Sequence, residues 1–181
     1  MSTETRQEFL KECIADALLR LMKKESFEKI SITDITKLAN VGRVTYYRHF
    51  KSKEDILVYK IDLLLEQWTD ANKLSNFKTQ TEVFVSLFRY FITIREPIDI
   101  IIKSGMESAL LMANYRIFEQ KTDLPISEAY KYCYHSMGLS GLLLAWVKRG
   151  MKETPQEMGE IANHTIFQTP ERERFHAPSL P

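Results

Sequence analysis

Apolar residues recur at spacings of three and four along most of the chain, and this repeat constrains the fold more than any other feature of the sequence. Alternation of apolar and polar residues is nearly absent, and glycine occurs only six times in 181 residues. The repeat is clear in a first predicted helix at about 5–24, where Phe9 and Cys13 lie on the apolar stripe. Thr5 and Glu8 predict a capping box at its start. The sequence therefore predicts an all-α protein.

Eight further helices are expected, at about 32–38, 42–49, 52–72, 80–95, 98–103, 106–120, 126–149 and 155–167. The most apolar stretch, 83–102, carries several charged residues that would be too costly at bilayer depth. We therefore expect a buried helix pair broken at Pro97 and no membrane association. Pro155 suits the first position of the last helix.

Three regions follow from this pattern. Residues 1–52 form a three-helix, helix-turn-helix domain, and the helix at 52–72 links it to the rest of the chain. Residues 53–167 form a larger helical domain. Residues 168–181 are rich in proline and charge and lack a repeat, so they are expected to be a flexible tail.

Composition narrows the class of protein. A formal charge of +1 means that any basic surface must be local. The two cysteines are far apart in the sequence, which argues against a disulfide framework. Because the sequence also shows no apolar leader segment, we expect a cytoplasmic protein. The four histidines have no metal-ligand spacing, and there is no nucleophile elbow or phosphate-binding glycine loop. We therefore expect that the protein binds no metal or cofactor and is not an enzyme.

Residues 31–50 have the layout of two short helices joined by a tight turn. Ser31 is placed to cap the first of them, with Asp34 three positions later. Asn40 tolerates the left-handed conformation that ends this helix, and Val41 can pack inward. Gly42 opens the second helix. Such a pair can present its second helix to a DNA major groove.

The charges in and around this second helix all have one sign. Lys37, Arg43, Arg48, Lys51 and Lys53 are basic, with no acidic residue between them. A run of like charge repels itself unless a polyanion is near, and DNA phosphates supply one. The alternative is a solvated basic face.

Individual roles follow from side-chain chemistry. Arg43 can reach a guanine edge, and Val44 or Thr45 can offer methyl groups to thymine. Tyr47, His49 and Lys53 are expected to contact phosphate and fix the register. The spacing of two further aromatic residues points them inward, so Tyr46 and Phe50 are expected in the core.

The first 70 residues or so resemble the TetR family of bacterial regulators. The resemblance rests on Phe27-x-x-Ile30-Ser31-Ile32-x-Asp34-Ile35, Leu38-Ala39-Asn40-Val41-Gly42 and Thr45-Tyr46-Tyr47-Arg48-His49-Phe50-Lys51-Ser52-Lys53-Glu54. It implies DNA contacts from Thr33, Arg43, Val44, Thr45, Tyr47 and His49, and a phosphate contact from Lys53. It also implies a C-terminal domain that dimerises through its last two helices and often holds an effector pocket.

The last two predicted helices carry small and apolar residues suited to such a dimer. The candidate interface residues are Gly138, Gly141, Leu142, Ala145, Trp146, Met158, Ile161 and Ala162. Small residues allow close backbone approach, and the large ones supply apolar area for a two-fold contact. The alternative is that these helices only close the core of one chain.

Aromatic and methionine residues of the same domain suit either an apolar ligand pocket or a packed core. The pocket candidates are Phe88, Phe91, Met106, Leu110, Tyr115 and Tyr134. The resemblance thus implies a homodimeric regulator that binds a pseudo-palindromic site in double-stranded DNA and responds to a small-molecule effector. Such regulators are more often repressors than activators. The alternative is a co-regulator acting through protein contacts of its C-terminal domain, because Asn40, Gly42 and Val44 differ from the family's usual residues.

Overall fold

The computed structural model describes residues 3–119 and 124–167, which form nine α-helices and two short 3-10 turns without a strand. In chain order these helices are α1 (Thr3–Met22), α2 (Ile32–Leu38), α3 (Arg43–His49), α4 (Lys53–Ala71), α5 (Gln80–Thr93), α6 (Arg95–Lys103), α7 (Ser108–Glu119), α8 (Ile126–Lys148) and α9 (Pro155–Phe167). The prediction of an all-α protein is confirmed. The predicted tail, 168–181, lies outside the described residues.

A small N-terminal unit is built where α1 packs against α2 and α4, and α2 packs against α3. Its interior consists of apolar side chains from all four helices, among them Ile14, Leu18, Ile35, Tyr46, Ile56 and Leu57, each at most 1% exposed. α4 continues from this unit into the larger domain. The site below is therefore held on short helices whose inner faces are fixed by packing.

The larger domain is held together by two sets of helix contacts. α5 packs along α9, and α7 lies between α4 and α8. α6 touches both α1 and α8, so it bridges the two parts of the molecule. The buried apolar residues of both parts form one continuous cluster.

α5 and α9 approach each other closely at Gly159 of α9, which is buried. A Cβ atom at this position would lie 2.4 Å from Val85 Cγ2 and 3.0 Å from the Val85 nitrogen of α5. Only a residue without a side chain lets the two helices pack this closely.

The start of α1 differs from the prediction. α1 already includes Thr3, so Thr5 lies within the helix and does not cap it. Phe9, expected on the buried stripe, is 56% exposed, whereas Ile14, Leu18 and their neighbours carry the packing. Only the part of α1 beyond its first turns packs against α2 and α4. The periodic pattern of apolar residues does not show where along the helix this packing begins.

The predicted break at Pro97 is also wrong. The helix is interrupted at Ile94, which ends α5 and precedes α6, and Pro97 is the third residue of α6. A proline is tolerated there because the first-turn amides have no partner within the helix. Across the described residues, no helix has the length and apolar character needed to cross a membrane.

Candidate nucleic-acid interface

The start of α2 is fixed by a reciprocal capping box. The Ser31 hydroxyl accepts a hydrogen bond from the Asp34 amide at 3.1 Å, and Asp34 Oδ2 accepts one from the Ser31 amide at 3.1 Å. The hydrogen bonds that the Ser31 hydroxyl and amide donate to Asp34 Oδ2 lower the pKa of this carboxyl. The predicted cap is confirmed.

The turn between α2 and α3 has the predicted geometry. Asn40 adopts a left-handed conformation with φ of 54°, and the amide of Val41 donates to the Thr36 carbonyl at 3.0 Å. Val41 packs against the core. Gly42 precedes α3 in extended conformation and offers no side-chain cap. The turn thereby holds α3 at a set angle to α2.

The inner face of α3 carries the two predicted core aromatics. Tyr46 is fully buried and Phe50 is 4% exposed, which confirms their assignment to the core. The Phe50 ring meets the Tyr59 ring of α4 edge to face at 5.6 Å. Burial raises the pKa of Tyr46 to about 12. These rings anchor α3, so its opposite face is turned outward.

That outward face carries most of the residues predicted to contact DNA. Val44 is 73% exposed and Tyr47 is 55% exposed. Arg43 Nη2 donates to the Tyr47 hydroxyl at 3.4 Å, and the guanidinium carbon lies 6.0 Å from the Tyr47 ring centroid. Arg43, Arg48, Thr33 and Lys37 are exposed, and Thr45 is half-buried. The structure thus presents cations, a hydroxyl and an apolar side chain together along α2 and α3.

His49 lies at the edge of this face, half-buried in a cavity of about 310 Å³. The cavity is lined by Lys11, His49, Phe50, Lys51, Asp55 and Tyr59. Burial, then the positive charges of Lys11 and Arg48, lower the pKa of His49, while Glu8 opposes them. Lys11 is a cation that sequence reasoning missed, because only the packing of α1 on α4 brings it beside His49.

DNA binding is expected to tighten as the pH falls from about 8 to about 6, because a phosphate beside His49 would raise the lowered pKa of the ring and the ring would take up a proton on binding. In the unbound protein the sign is opposite, because folding favours the neutral ring. Its contribution to stability is full above about pH 6.5 and is lost as the pH falls from there through the lowered pKa of the folded state. Fluorescence anisotropy over this range measures the effect. His49→Gln should abolish it and His164→Gln on α9 should not; an unchanged pH dependence in His49→Gln would exclude this contact.

Lys53 has partners inside the chain. Its Nζ donates to the carbonyls of Phe27 and Ile30 at 2.6 and 2.8 Å and lies 4.5 Å from the Phe27 ring centroid. No local pattern indicates these bonds, because the partners lie 26 and 23 positions away. Two of the three N–H groups of the ammonium are thus used within the chain, and the expected phosphate contact stays a prediction.

In the C-terminal domain, three of the candidate interface residues are buried within one chain. Trp146, Met158 and Ala162 are 1%, 4% and 0% exposed. The Trp146 ring meets Phe88 edge to face at 5.3 Å, and Nε1 donates to the Glu153 carbonyl at 3.1 Å. Because α5 already covers this face, these three residues are removed from the expected interface.

The other five candidates remain accessible. Gly138, Gly141, Ala145 and Ile161 are exposed and Leu142 is half-buried. Most of them border an apolar groove of about 480 Å³ between α8 and α9, lined by Cys133, Tyr134, Met137, Gly138, Gly141, Leu142, Thr165 and Ile166. Ile126 and Tyr130 extend this exposed face along α8 at 77% and 68% exposure. Sequence reasoning missed them, although their spacing of four was visible.

The pocket candidates are dispersed. Phe88, Phe91 and Leu110 are buried in the core, with 0%, 3% and 3% exposure. Met106 is half-buried against it, and Tyr134 faces the α8–α9 groove. The side chain of Tyr115 lies outside the described residues. The predicted set therefore does not form one cavity.

A different cavity, of about 290 Å³, opens between α4, α5 and α8. It is lined by Leu65, Trp68, Thr69, Gln80, Phe84, Leu87, Tyr132, His135, Ser136 and Leu139. Apolar walls with a few polar groups are typical of small-molecule sites. Among the described residues, no group of three or more His, Cys, Asp or Glu side chains is arranged to hold a metal ion.

A helix-turn-helix that buries one face of its second helix and exposes a basic one defines a DNA-binding transcriptional regulator. The comparisons agree: residues 14–59 match the model described as bacterial regulatory proteins of the tetR family, and residues 78–168 match a transcriptional regulator C-terminal region. The chain belongs to the TetR family. Its members bind DNA and dimerise, and such regulators are generally not enzymes.

Three known proteins illustrate the range of similarity. The HTH-type transcriptional regulator EthR of Mycolicibacterium smegmatis is 40% identical over 48 residues, 26% of this chain and only 22% of that protein. A solved structure named dihydroxyacetone kinase operon activator DhaS shares the fold at 18% identity, with a TM-score of 0.53 over 88% of this chain and 94% of that one. A TetR transcriptional regulator from Streptococcus agalactiae gives 20% identity and a TM-score of 0.50, covering 90% and 96%.

Proposed function

We propose that this regulator is a repressor that binds a pseudo-palindromic operator as a homodimer and is released by a small-molecule effector. The observation that carries the proposal is the division of α3: Tyr46 and Phe50 are buried, while Arg43, Val44 and Tyr47 point outward. A recognition helix needs this division, because its inner face must hold it rigid while its outer face reads the groove.

Base reading is assigned to the start of α3 and backbone contact to its sides. Arg43 suits the acceptors of guanine, and the exposed methyl groups of Val44, with Thr45 beside it, suit the thymine methyl. Tyr47, Arg48 and His49 are assigned to phosphates, with Thr33 and Lys37 of α2 beside them. Lys11, whose ammonium group is paired with Glu8 at 2.7 Å, lies on the same edge.

The homodimer is assigned to the apolar groove and exposed face of α8 and α9. Gly138, Gly141 and Ala145 permit close approach of a second α8, and Leu142 and Ile161 contribute apolar area. Tyr130 and Tyr134 extend the contact, and their hydroxyls can remain at its rim. Two recognition helices related by this two-fold axis would read half-sites about one helical turn apart or a little more.

The effector is assigned to the cavity between α4, α5 and α8, since α4 joins it directly to the DNA-binding unit. Trp68 and Phe84 offer apolar walls, and His135 and Ser136 offer polar groups. A ligand that binds one tilt of α4 better than another would shift the balance between DNA-binding and released forms.

The proposal is tested by selecting fragments of the source genome that the dimer retains, then titrating them against bulk DNA at several salt concentrations. Arg43→Ala is expected to lose about 1–3 kcal/mol of discrimination at one base pair of the half-site. Tyr47→Phe should weaken binding to all sequences alike. Transcription from a promoter carrying the selected site gives the sign of regulation.

Lys152→Ala serves as the control, because it removes an exposed positive charge in the turn between α8 and α9. A loss in Lys152→Ala equal to that in Arg43→Ala would mean that net charge, and not α3, governs binding. Absence of any salt-sensitive, sequence-selective binding by the unaltered dimer would favour a co-regulator that acts through protein contacts.

A further inference from the structure

Lys53 joins the two ends of the helix-turn-helix. It is the first residue of α4, directly after α3 and its exit loop. Its ammonium group donates to the carbonyls of Phe27 and Ile30, which lie just before α2. The chain between these partners contains α2, the turn and α3, so this contact closes the whole DNA-binding segment into a loop.

The surroundings of the ammonium group favour a lasting contact. Phe27 and Ile30 are 4% and 1% exposed, and both hydrogen bonds are partly buried. Hydrogen bonds from a charged donor are about twice as strong as neutral ones. The Phe27 ring adds a cation–π contact at 4.5 Å.

The contact acts where the orientation of α2 is set. Ile30 immediately precedes Ser31, whose capping box begins α2. Ser52, immediately before Lys53, caps α4 through the Asp55 amide at 3.1 Å. Lys53 therefore links two helix starts that are each held rigidly by their own caps.

We propose that Lys53 is a positioning residue for DNA binding, which holds α2 and α3 in the binding-competent arrangement by tying the start of α4 to the carbonyls of Phe27 and Ile30. This inference rests on the proposed DNA binding. Without the tie, a smaller fraction of molecules has α3 correctly placed, and the apparent affinity falls by that fraction.

The test compares Lys53→Met with Lys51→Met. Both variants lose one positive charge, at positions two residues apart. Only Lys53 donates to the two carbonyls, whereas the Lys51 side chain is exposed. Lys53→Met is expected to weaken binding to the selected operator by roughly tenfold. The slope of log affinity against log salt should stay as in the unaltered protein, because no phosphate contact is lost. Binding is measured well below the melting temperature of each variant.

Two results would overturn the inference. A salt slope reduced by about 0.9 in Lys53→Met would make Lys53 a phosphate contact. Unchanged affinity, with only a lower melting temperature, would make the tie purely structural. If Lys53→Met does not fold, Lys53→Gln replaces it: the amide keeps N–H donors without charge, so a positioning role predicts near-normal affinity and slope.

Hydrogen exchange of the unbound protein separates this inference from the proposed function. Amides of α2 and α3 should exchange faster in Lys53→Met than in the unaltered chain, and Lys51→Met should leave them unchanged. Equal exchange in all three proteins would refute the tie even if DNA binds. Faster exchange in a protein that binds no operator would retain the tie and reject the proposed function.

Discussion

Replacing Gly159 with alanine is expected to lower the free energy of unfolding by about 1–3 kcal/mol, even though alanine is the better helix former. The added Cβ would lie 2.4 Å from Val85 Cγ2 and 3.0 Å from the Val85 backbone nitrogen. Valine is short and stiff at χ1, so its methyl group cannot turn away at low cost. α9 must instead move away from α5, which opens the core along their contact.

Thermal unfolding should record a fall of several degrees, at roughly 2–4 °C per kcal/mol for a chain of this size. Gly138→Ala is the matched control within one chain, because the nearest atom to its Cβ is Ile166 Cγ1 at 3.8 Å, an ordinary contact. Gly138 lies on the face assigned to the dimer, so both variants are compared at a protein concentration low enough to keep the chains monomeric. It should be neutral or stabilising by up to about 1 kcal/mol. Adding Val85→Ala to Gly159→Ala should recover part of the loss. A melting temperature at or above that of the unaltered protein would contradict the close approach.

Replacing Trp146 with alanine is expected to destabilise the chain by about 3–5 kcal/mol. The substitution empties the centre of the C-terminal core, removes the ring contact with Phe88 and leaves the Glu153 carbonyl without its donor. A charged residue there should prevent folding altogether. The sequence alone favoured another outcome, a folded monomer, because it assigned Trp146 to the dimer interface.

Ala145→Glu provides the comparison from the neighbouring, exposed position. It places a charge on the face assigned to the dimer and should give folded monomers with a near-normal melting curve. Sedimentation and circular dichroism together distinguish the two effects. An intact Ala145→Glu dimer would remove this face from the interface, and a stable, folded Trp146→Ala protein would contradict the burial of the indole.

The two faces of α8 explain why the sequence could not separate these effects. Leu143, Trp146 and Val147 are buried against the rest of the chain, while Gly141 and Ala145 face outward. Both faces are apolar or small, so the periodic pattern marks a helix without telling which face meets its own chain. Residue size was a poor guide to the interface, because Gly141 and Ala145 are exposed whereas Ser140 and Trp146 are buried.

Features that depend on neighbours within about four residues were predictable. The capping box of Ser31 and Asp34, the left-handed Asn40 and the inward Tyr46 and Phe50 all follow from local hydrogen bonds and helical spacing. The TetR resemblance follows from the same segment. Most helix boundaries were likewise close, because caps and apolar repeats are local signals.

The sequence by itself thus determined the helices, the exposed basic face of α3 and the family. Only the tertiary structure decided that Trp146 lies inside the chain, that Gly159 permits α5 and α9 to touch, and that Lys53 ties α4 to the residues before α2. The physical reason is the distance along the chain between the residues that make contact. Each of these contacts joins residues 20 or more positions apart or depends on which helix covers a face, and no local pattern encodes that choice.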